Sequence, residues 1–159
     1  MRIGLDIETD LSHVNIWVVK TINLDTGEIL TWKKAAPLKE FLKGSTLICG
    51  HNIIGFDGPV LKKSWNITIE LKKTCDTLIL SRLLDPSRES GHSLESWGVA
   101  LGVKKVPYKK IWEWMNDRVE AYPGECYDDP IEPLLDYYCE GDVLVLKELY
   151  HHLMQKKEQ

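Results

Sequence analysis

Four acidic residues of this 159-residue sequence lie on or beside its apolar segments. Asp6 and Glu8 share one face of the segment IGLDIET, because side chains along a strand alternate with period two. Asp57 is the only acid in HNIIGFDGPVL, and Asp142 lies within the last predicted helix. Carboxylate oxygens are the ligands that magnesium and manganese ions prefer. If these segments meet in space, the four acids form a site for hard divalent cations.

Asp142 is an exception in an otherwise hydrophobic stripe. Tyr138, Val145, Leu149 and Leu153 recur with it at steps of three and four residues, which is the spacing of a buried helix face. A buried carboxylate loses its hydration and needs a positive partner. Tyr138 precedes Asp142 by one helical turn, so both side chains can reach the same water molecule. The pattern predicts that Asp142 meets metal ions.

Each of these acids also has a simpler interpretation. The segment DIETD could be a strand that ends in a solvated acidic turn. Asp57 could favour a helix N-terminus electrostatically, and Asp142 could accept a hydrogen bond from Tyr138. Taken singly, these interpretations are the better ones. Taken together they require three coincidences in the right chain order, which favours a shared site.

Composition narrows the class of protein. A hydrophobic content of 43% over 159 residues fits one compact domain. The net charge of -4 argues against a general nucleic-acid coat protein, but not against an enzyme whose bound metal ions supply positive charge. The four cysteines (Cys49, Cys75, Cys126 and Cys139) lack the spacing of a zinc site and are predicted to be reduced thiols.

No segment predicts a membrane protein. The longest apolar runs fall well short of the roughly 20 residues that a membrane helix needs. The start, MRIGLDIETD, carries acids where a signal peptide would be apolar. These features predict a cytoplasmic protein with no membrane association.

Hydrophobic periodicity predicts the order of the elements. Three strands are expected in IGLDIET, VNIWVVKTINL and EILTWK, then a short helix in PLKEFLKG and a strand in STLICG. A loop leading into a helix follows in HNIIGFDGPVLKKSW, and ITIEL is a possible fifth strand. Two helices are expected in CDTLILSRLL and HSLESWGVALG, and the last helix from about Ile131 to Met154. This order predicts an α/β fold: a mixed five-stranded sheet, three antiparallel strands followed by parallel ones, flanked by helices.

Three short segments resemble a known enzyme superfamily. LDIETD, HNIIGFD and YCEGD are similar, in this order, to the three motifs of the DEDD 3′–5′ exonucleases, which are named for four acids. Tyr138 stands four residues before Asp142, as in the tyrosine subtype (DEDDy) that includes the proofreading domains of family A DNA polymerases. The middle of the chain is similar to such domains from short-tailed bacteriophages. The resemblance covers nearly the whole chain and implies a ribonuclease H-like fold.

The resemblance implies a reaction and a set of catalytic residues. The reaction is hydrolysis of the terminal phosphodiester at the 3′ end of single-stranded DNA, with release of nucleoside 5′-monophosphates. Two divalent cations, Mg²⁺ or Mn²⁺, would be held by Asp6, Glu8, Asp57 and Asp142, with Asp6 between both ions. Tyr138 would orient the attacking water and not act as the base, because an unperturbed tyrosine has a pKa of about 10.

The same resemblance suggests substrate contacts. Thr9 would offer its backbone to the terminal nucleotide, and Leu11, one residue from the family position, would wedge beside its base. Asn52 and Phe56 match positions that touch the sugar-phosphate and stack near the scissile link. His51 is equally well explained as a core or capping histidine.

Other residues have weaker signals. The irregular segment from Val103 to Pro133 interleaves lysines with Tyr108, Trp112 and Trp114, which could line a path for single-stranded DNA or anchor a loop to the core. Asp76 is expected to support the site structurally. Two other acids of the last helix, Asp136 and Glu140, are expected to be solvated.

The sequence also predicts the protein's organisation and partners. Residues 1–159 are expected to form a single exonuclease domain with no polymerase domain, either free-standing and phage-encoded or excised from a longer chain; the Met start favours the first. Expected partners are 3′ ends of single-stranded DNA and a separate polymerase or replication protein, in the host cytoplasm. Two alternatives stay open: a ribonuclease that trims RNA 3′ ends, and a non-catalytic DNA-binding or polymerase-partner module.

Overall fold

The computed structural model describes residues 1–10, 12–105, 109, 111, 113 and 132–159, and the side chains of all of these except 132–134. The strands are β1 (Arg2–Thr9), β2 (Ile16–Asn23), β3 (Ile29–Trp32), β4 (Leu47–Gly50) and β5 (Thr74–Asp76). The helices are α1 (Ala35–Lys43), α2 (Asp57–Trp65), α3 (Thr77–Leu84), α4 (Leu94–Leu101) and α5 (Glu132–Glu158).

The five strands form one mixed sheet in the order β3-β2-β1-β4-β5. The pairs β1–β2 and β2–β3 are antiparallel, whereas β4 runs parallel to β1 and β5 runs parallel to β4. The predicted architecture, three antiparallel strands followed by parallel ones, is confirmed. Strand β1 therefore lies at the centre of the sheet, and both of its faces are covered.

One face of the sheet packs on α1 and α2. Ile3, Leu5 and Ile7 of β1 point to this side and are at most 4% exposed. They belong to one hydrophobic cluster with Leu38 of α1 and Leu61 of α2. The apolar half of the alternating pattern in β1 is thus buried, which leaves its acidic half on the opposite face.

The opposite face packs on the long helix α5. Val143 and Leu146 form a cluster with Ile22 of β2 and Cys49 of β4. The approach is close at Gly4 of β1, where an added Cβ would lie 2.8 Å from Ile22 Cγ2 and 3.1 Å from Leu146 Cδ2. A glycine here lets the helix lie against the central strand.

The second side of α5 packs on α3 and α4. Val145, Leu149 and Leu153 are fully buried in a cluster that includes Trp97 of α4. The predicted hydrophobic stripe of the last helix is therefore confirmed at these positions. The predicted end at Met154 is wrong, because the helix continues to Glu158.

The fifth strand differs from the prediction. ITIEL does not form a strand; its last residue begins a short 3₁₀ turn at Leu71–Lys73, and β5 begins after that turn. Cys75 and Asp76 were predicted as helix but belong to β5, where they pair with Cys49 and Gly50 of β4. Helix α3 starts at Thr77 because the Asp76 carboxylate accepts the backbone N–H groups of the first helical turn.

Two predictions on composition can be compared with the described residues. Cys49, Cys75 and Cys139 are free thiols, as predicted, and Cys126 lies outside the described part. Among the helices that the structure describes, none has the length and apolarity needed to span a bilayer.

Candidate active site

Strand β1 places the first two acids beneath α5. Asp6 and Glu8 follow Gly4 at intervals of two residues, on the face that the helix covers. One carboxylate oxygen of each acid and the Sγ atom of Cys139 on α5 all lie within 4.8 Å of one another. Three ligand atoms at this spacing could hold a metal ion.

Helix α2 delivers the third acid. Asp57 is its first residue and is 3% exposed. Burial raises the pKa of this carboxyl to about 7, an effect partly offset by backbone hydrogen bonds of Asp57 itself and of Ile7 on β1. The side chain is therefore held against the end of β1.

The loop before α2 is held by a single buried carboxylate. Asp76 accepts backbone N–H groups from Asn52 at 3.0 Å and Ile54 at 3.1 Å, and from Leu78 in the first turn of α3 at 3.0 Å. The expected structural role of Asp76 is thus visible in its contacts. Since Asp57 follows this loop directly, Asp76 fixes the position from which Asp57 enters the site.

Helix α5 contributes the fourth acid and a tyrosine. Asp142 is 5% exposed and Tyr138 is 9% exposed, one turn apart on the same side of the helix. The positive group that meets Asp142 is Lys105, which forms an ion pair with its carboxylate. The Lys105 ammonium also lies 3.5 Å from the Tyr138 hydroxyl and 4.6 Å from its ring centroid.

Sequence reasoning missed Lys105. It belongs to one of several lysine pairs that look like solvated surface, yet its side chain is only 6% exposed. One signal could have indicated it: Gly141 stands beside Asp142 in a buried helix, where a glycine implies close approach of another chain segment. That segment is the one that carries Lys105, whose Cβ would lie 3.0 Å from a Cβ at position 141.

The four carboxylates act on one another electrostatically. Burial raises the pKa of Asp6 well above its usual value, and the charges of Asp142, Asp57 and Glu8 raise it further. The pKa of Glu8 is also raised, first by burial and then by Asp142 and Asp57, while Lys105 lowers it. Acids from three separate elements therefore share one small volume. Such mutual repulsion is relieved by a bound cation.

The pH dependence of stability follows from these shifts. With divalent ions removed by EDTA, we expect the free energy of unfolding to fall as pH rises from about 5 to 8. The reason is that folded Asp57, with a pKa of about 7, keeps its proton until the pH approaches that value, whereas the unfolded chain has released it already at the start of this range. Urea unfolding at several pH values measures the slope.

The variant Asp57→Asn is the control for that pH dependence. Across the same pH range, its free energy of unfolding should fall by at least about 1 kcal/mol less than that of the wild type. This difference corresponds to about 2–4 °C in Tm. A wild-type free energy of unfolding that rises with pH in EDTA would contradict the electrostatic description of the site.

Two neighbours of the acids are held in their protonated forms. Burial raises the pKa of Tyr138, and the charges of Asp142, Glu8 and Asp6 raise it further, so its phenol keeps its proton at neutral pH. Burial and the charge of Asp6 also raise the pKa of Cys139. The Cys139 thiol donates to Asp6 Oδ2 at 3.3 Å, a contact that sequence reasoning missed.

The substrate residues suggested by the resemblance lie in two groups. Thr9 ends β1, and its hydroxyl lies 3.1 Å from Nδ1 of His13. The His13 ring meets Phe56 edge-on, with ring centroids 5.1 Å apart. Thr9 and Phe56 are thus joined through His13, which was not predicted. Leu11 lies outside the described residues.

The second group, His51 and Asn52, lies in the loop before α2. His51 Nδ1 is 2.9 Å from the Thr77 hydroxyl. Burial lowers the pKa of His51 to about 4, so the imidazole is neutral at pH 7. These features fit the structural interpretation of His51. Asn52 has an exposed side chain and a positive φ of 64°, and its contact with substrate stays a prediction.

The two acids expected to be solvated have a partner. Lys20 of β2 is only 3% exposed, and its ammonium lies 2.9 Å from Asp136 and 3.7 Å from Glu140. The side chains of both acids remain partly exposed, at 36% and 44%, so they are solvated as predicted. The prediction missed that a buried lysine needs paired charges and finds them on α5. Lys20 stands opposite Asp6 in the β1–β2 register, so these pairs fix α5 to the sheet beside the site. The predicted roles of Tyr108, Trp112 and Trp114 fall outside the described residues.

Known proteins resemble this chain in sequence and in fold. No family model matches the chain. It is 30% identical over 149 residues to the DNA-directed DNA polymerase of Enterobacteria phage T3, an alignment that covers 76% of this chain and 20% of the polymerase. The chain is homologous to part of a phage DNA polymerase. The resemblance to phage polymerases predicted from the sequence is thereby confirmed, and the chain spans about a fifth of the length of this relative.

Two solved structures share the fold of this chain. The family B DNA polymerase of the archaeon Pyrobaculum calidifontis superimposes with a TM-score of 0.67 at 17% identity, covering 96% of this chain and 24% of that one. Exonuclease X, solved with 5′ overhanging duplex DNA, gives a TM-score of 0.57 at 14% identity, covering 100% of this chain and 94% of that one. The fold is therefore the ribonuclease H-like fold that was predicted.

Proposed function

We propose that this chain is a metal-dependent 3′–5′ exonuclease that hydrolyses the terminal phosphodiester of single-stranded DNA. The observation that carries the proposal is the convergence of acids from β1, α2 and α5, which raise one another's pKa values. A structural role does not require four carboxylates at one place, since their repulsion costs stability. The homology to a phage DNA polymerase supports the same function.

Divalent cations fit the donor set. All four carboxylates offer hard oxygen ligands, and the Lys105 ammonium against Asp142 demonstrates that this volume accommodates a positive charge. Asp6, Glu8, Asp57 and Asp142 would hold two ions, Mg²⁺ or Mn²⁺. Bound there, the ions would lower the pKa of the attacking water and neutralise charge on the departing oxygen.

The remaining residues of the site orient these groups. Tyr138 keeps its proton and can donate a hydrogen bond to the attacking water, so it positions the water without removing a proton from it. The Cys139 thiol, by donating to Asp6 Oδ2, holds that carboxylate in one orientation. Asp76 holds the loop from which Asp57 enters.

The end of β1 is the proposed place for the terminal nucleotide. Thr9, His13 and Phe56 lie together beside Glu8, and His13 is exposed. A base that stacks on such aromatic rings gains about 1–3 kcal/mol whatever its identity. This suits an enzyme that removes any terminal nucleotide, in proofreading or in end-trimming beside a separate polymerase.

Matched single-stranded DNA and RNA oligonucleotides test the proposal. Labelled at the 5′ end and incubated with Mn²⁺ or Mg²⁺, the DNA should shorten stepwise from its 3′ end with release of nucleoside 5′-monophosphates. Equal or faster cleavage of the RNA would identify a ribonuclease. DNA that is bound but releases no mononucleotide would identify a binding module.

Tyr138→Phe should slow the reaction without stopping it. The variant keeps the ring against Lys105 but loses the hydroxyl that orients water. We expect kcat to fall by about 10- to 100-fold, because a hydrogen bond to a charged group contributes about 1.5–3 kcal/mol, with KM little changed. Single-turnover kinetics measure the effect. A variant as inactive as Asp142→Ala would show that Tyr138 has another role.

A further inference from the structure

Lys105 pairs with an acid that the proposed function assigns to a metal ion. Its side chain is 6% exposed and its ammonium pairs with Asp142, whose side chain is 8% exposed. The ammonium is also 3.5 Å from the Tyr138 hydroxyl. A buried lysine in such a place is expensive, because both charges of the pair have lost their water.

The backbone is shaped to bring Lys105 there. At Gly141 of α5, an added Cβ would lie 3.0 Å from Lys105 Cβ and 3.7 Å from its Cα. At Gly98 of α4, an added Cβ would lie 3.1 Å from Val145 Cγ2 and 3.5 Å from the Val103 carbonyl oxygen. Glycines on both helices therefore make room for the segment that leads from α4 to Lys105. The ion pair is built into the fold and is not a chance contact of a long side chain.

The charge of Lys105 acts on two of the proposed metal ligands. It lowers the pKa of Asp142, which burial raises, and it lowers that of Glu8, which burial and neighbouring acids raise. Both acids are among the proposed metal ligands. A cation that binds Asp142 is repelled by an ammonium in contact with the same carboxylate.

We propose that Lys105 is a resident cation: it neutralises Asp142 in the metal-free protein and leaves Asp142 when a divalent ion binds. This inference rests on the proposed function. Lys105 is a positioning residue in this scheme, since its ion pair holds the Asp142 carboxylate and α5 in place until the ion arrives. Metal binding at Asp142 must break the ion pair, so Lys105 weakens the affinity for one of the two ions.

Calorimetric titration with Mn²⁺ tests the inference. Of the two Mn²⁺ ions, Lys105→Met should bind the one of lower affinity at least about tenfold more tightly than the wild type does, because no ion pair has to break. In EDTA the same variant should have a lower Tm, which Mn²⁺ restores. Lys104→Met is the matched control: it removes the same charge from the adjacent exposed residue and should leave Mn²⁺ affinity unchanged. Unchanged or weaker Mn²⁺ binding by Lys105→Met would overturn the inference.

Asp6→Asn separates this inference from the proposed function. If Asp6→Asn binds Mn²⁺ as the wild type does, the metal site itself is wrong. If Asp6→Asn loses Mn²⁺ while Lys105→Met binds it unchanged, only the role of Lys105 is wrong. Should Lys105→Met fail to fold, wild-type crystals grown with EDTA and with Mn²⁺ decide the matter. In the crystals grown with Mn²⁺ the Lys105 ammonium should have left Asp142. An intact ion pair with both Mn²⁺ ions bound would overturn the inference.

Discussion

Alanine at Asp6 should lower the rate of nucleotide release by at least about a thousandfold, because it removes a charge that stabilises the transition state by several kcal/mol. Asp6 is the acid whose pKa is raised by all three of the others, so it lies at the centre of the group. Single-stranded DNA should still bind, since Thr9 and Phe56 do not depend on it. Single-turnover release of a labelled 3′ nucleotide measures the rate.

Glu140→Gln is the matched control for Asp6→Ala. It removes an acid that is 44% exposed and lies 3.7 Å from Lys20, and activity should change by less than about threefold. The double variant Asp6→Ala with Asp142→Ala should be no slower than either single variant, because the acids act as a unit. Multiplicative losses in the double variant would show that the two acids act independently, against the proposed shared site.

Alanine at Asp76 should produce the largest loss of stability, about 3–5 kcal/mol, through the loss of a helix cap and of partners for buried backbone N–H groups. Asp76 is 7% exposed and accepts from Asn52, Ile54 and Leu78. Urea unfolding measures the free energy. Activity should fall as well, since Asp57 follows the loop that Asp76 holds.

Two further variants calibrate the Asp76 result. Asp76→Asn keeps one carbonyl oxygen as an acceptor and should lose less stability than Asp76→Ala. Asp85→Ala removes an acid of the same type from a partly exposed ion pair with Lys156 and should cost at most about 1 kcal/mol. An Asp76→Ala variant no less stable than Asp85→Ala would mean that the loop is held by other contacts.

Local sequence patterns were sufficient to predict the strand that carries Asp6 and Glu8 and the helix that carries Asp142. Alternation in IGLDIET predicted that Ile3 and Leu5 would be buried and that Asp6 and Glu8 would share the other face, and the structure has this arrangement. The stripe of α5 likewise predicted that Asp142 faces inward. Both patterns are periodic over many residues, which is why the sequence alone carries them.

Partners that are distant in sequence could not be predicted. Lys105 and Asp142 are 37 residues apart, and no local pattern distinguishes Lys105 from the neighbouring Lys104. Lys20 lies within an apolar strand and finds Asp136, 116 residues later, only because α5 packs across β2. Such pairs depend on tertiary packing, which determines whether a charged side chain is buried.

The fifth strand was misplaced for a related reason. ITIEL has residues typical of strands, whereas β5 is three residues long and ends at Asp76. Its pairing with β4 and the capping of α3 by Asp76 decide the structure there, and neither is visible in a local window. Strand formation depends more on neighbours than on intrinsic preference.

Anomalous diffraction from a crystal soaked in Mn²⁺ tests the central claim most directly. We predict two manganese positions, one on each side of the Asp6 carboxylate, with Glu8 and Asp142 on one ion and Asp57 beside the other. Manganese that binds elsewhere, or not at all while Asp6, Glu8, Asp57 and Asp142 are open to solvent, would contradict the assignment of these acids as a metal-dependent nuclease site.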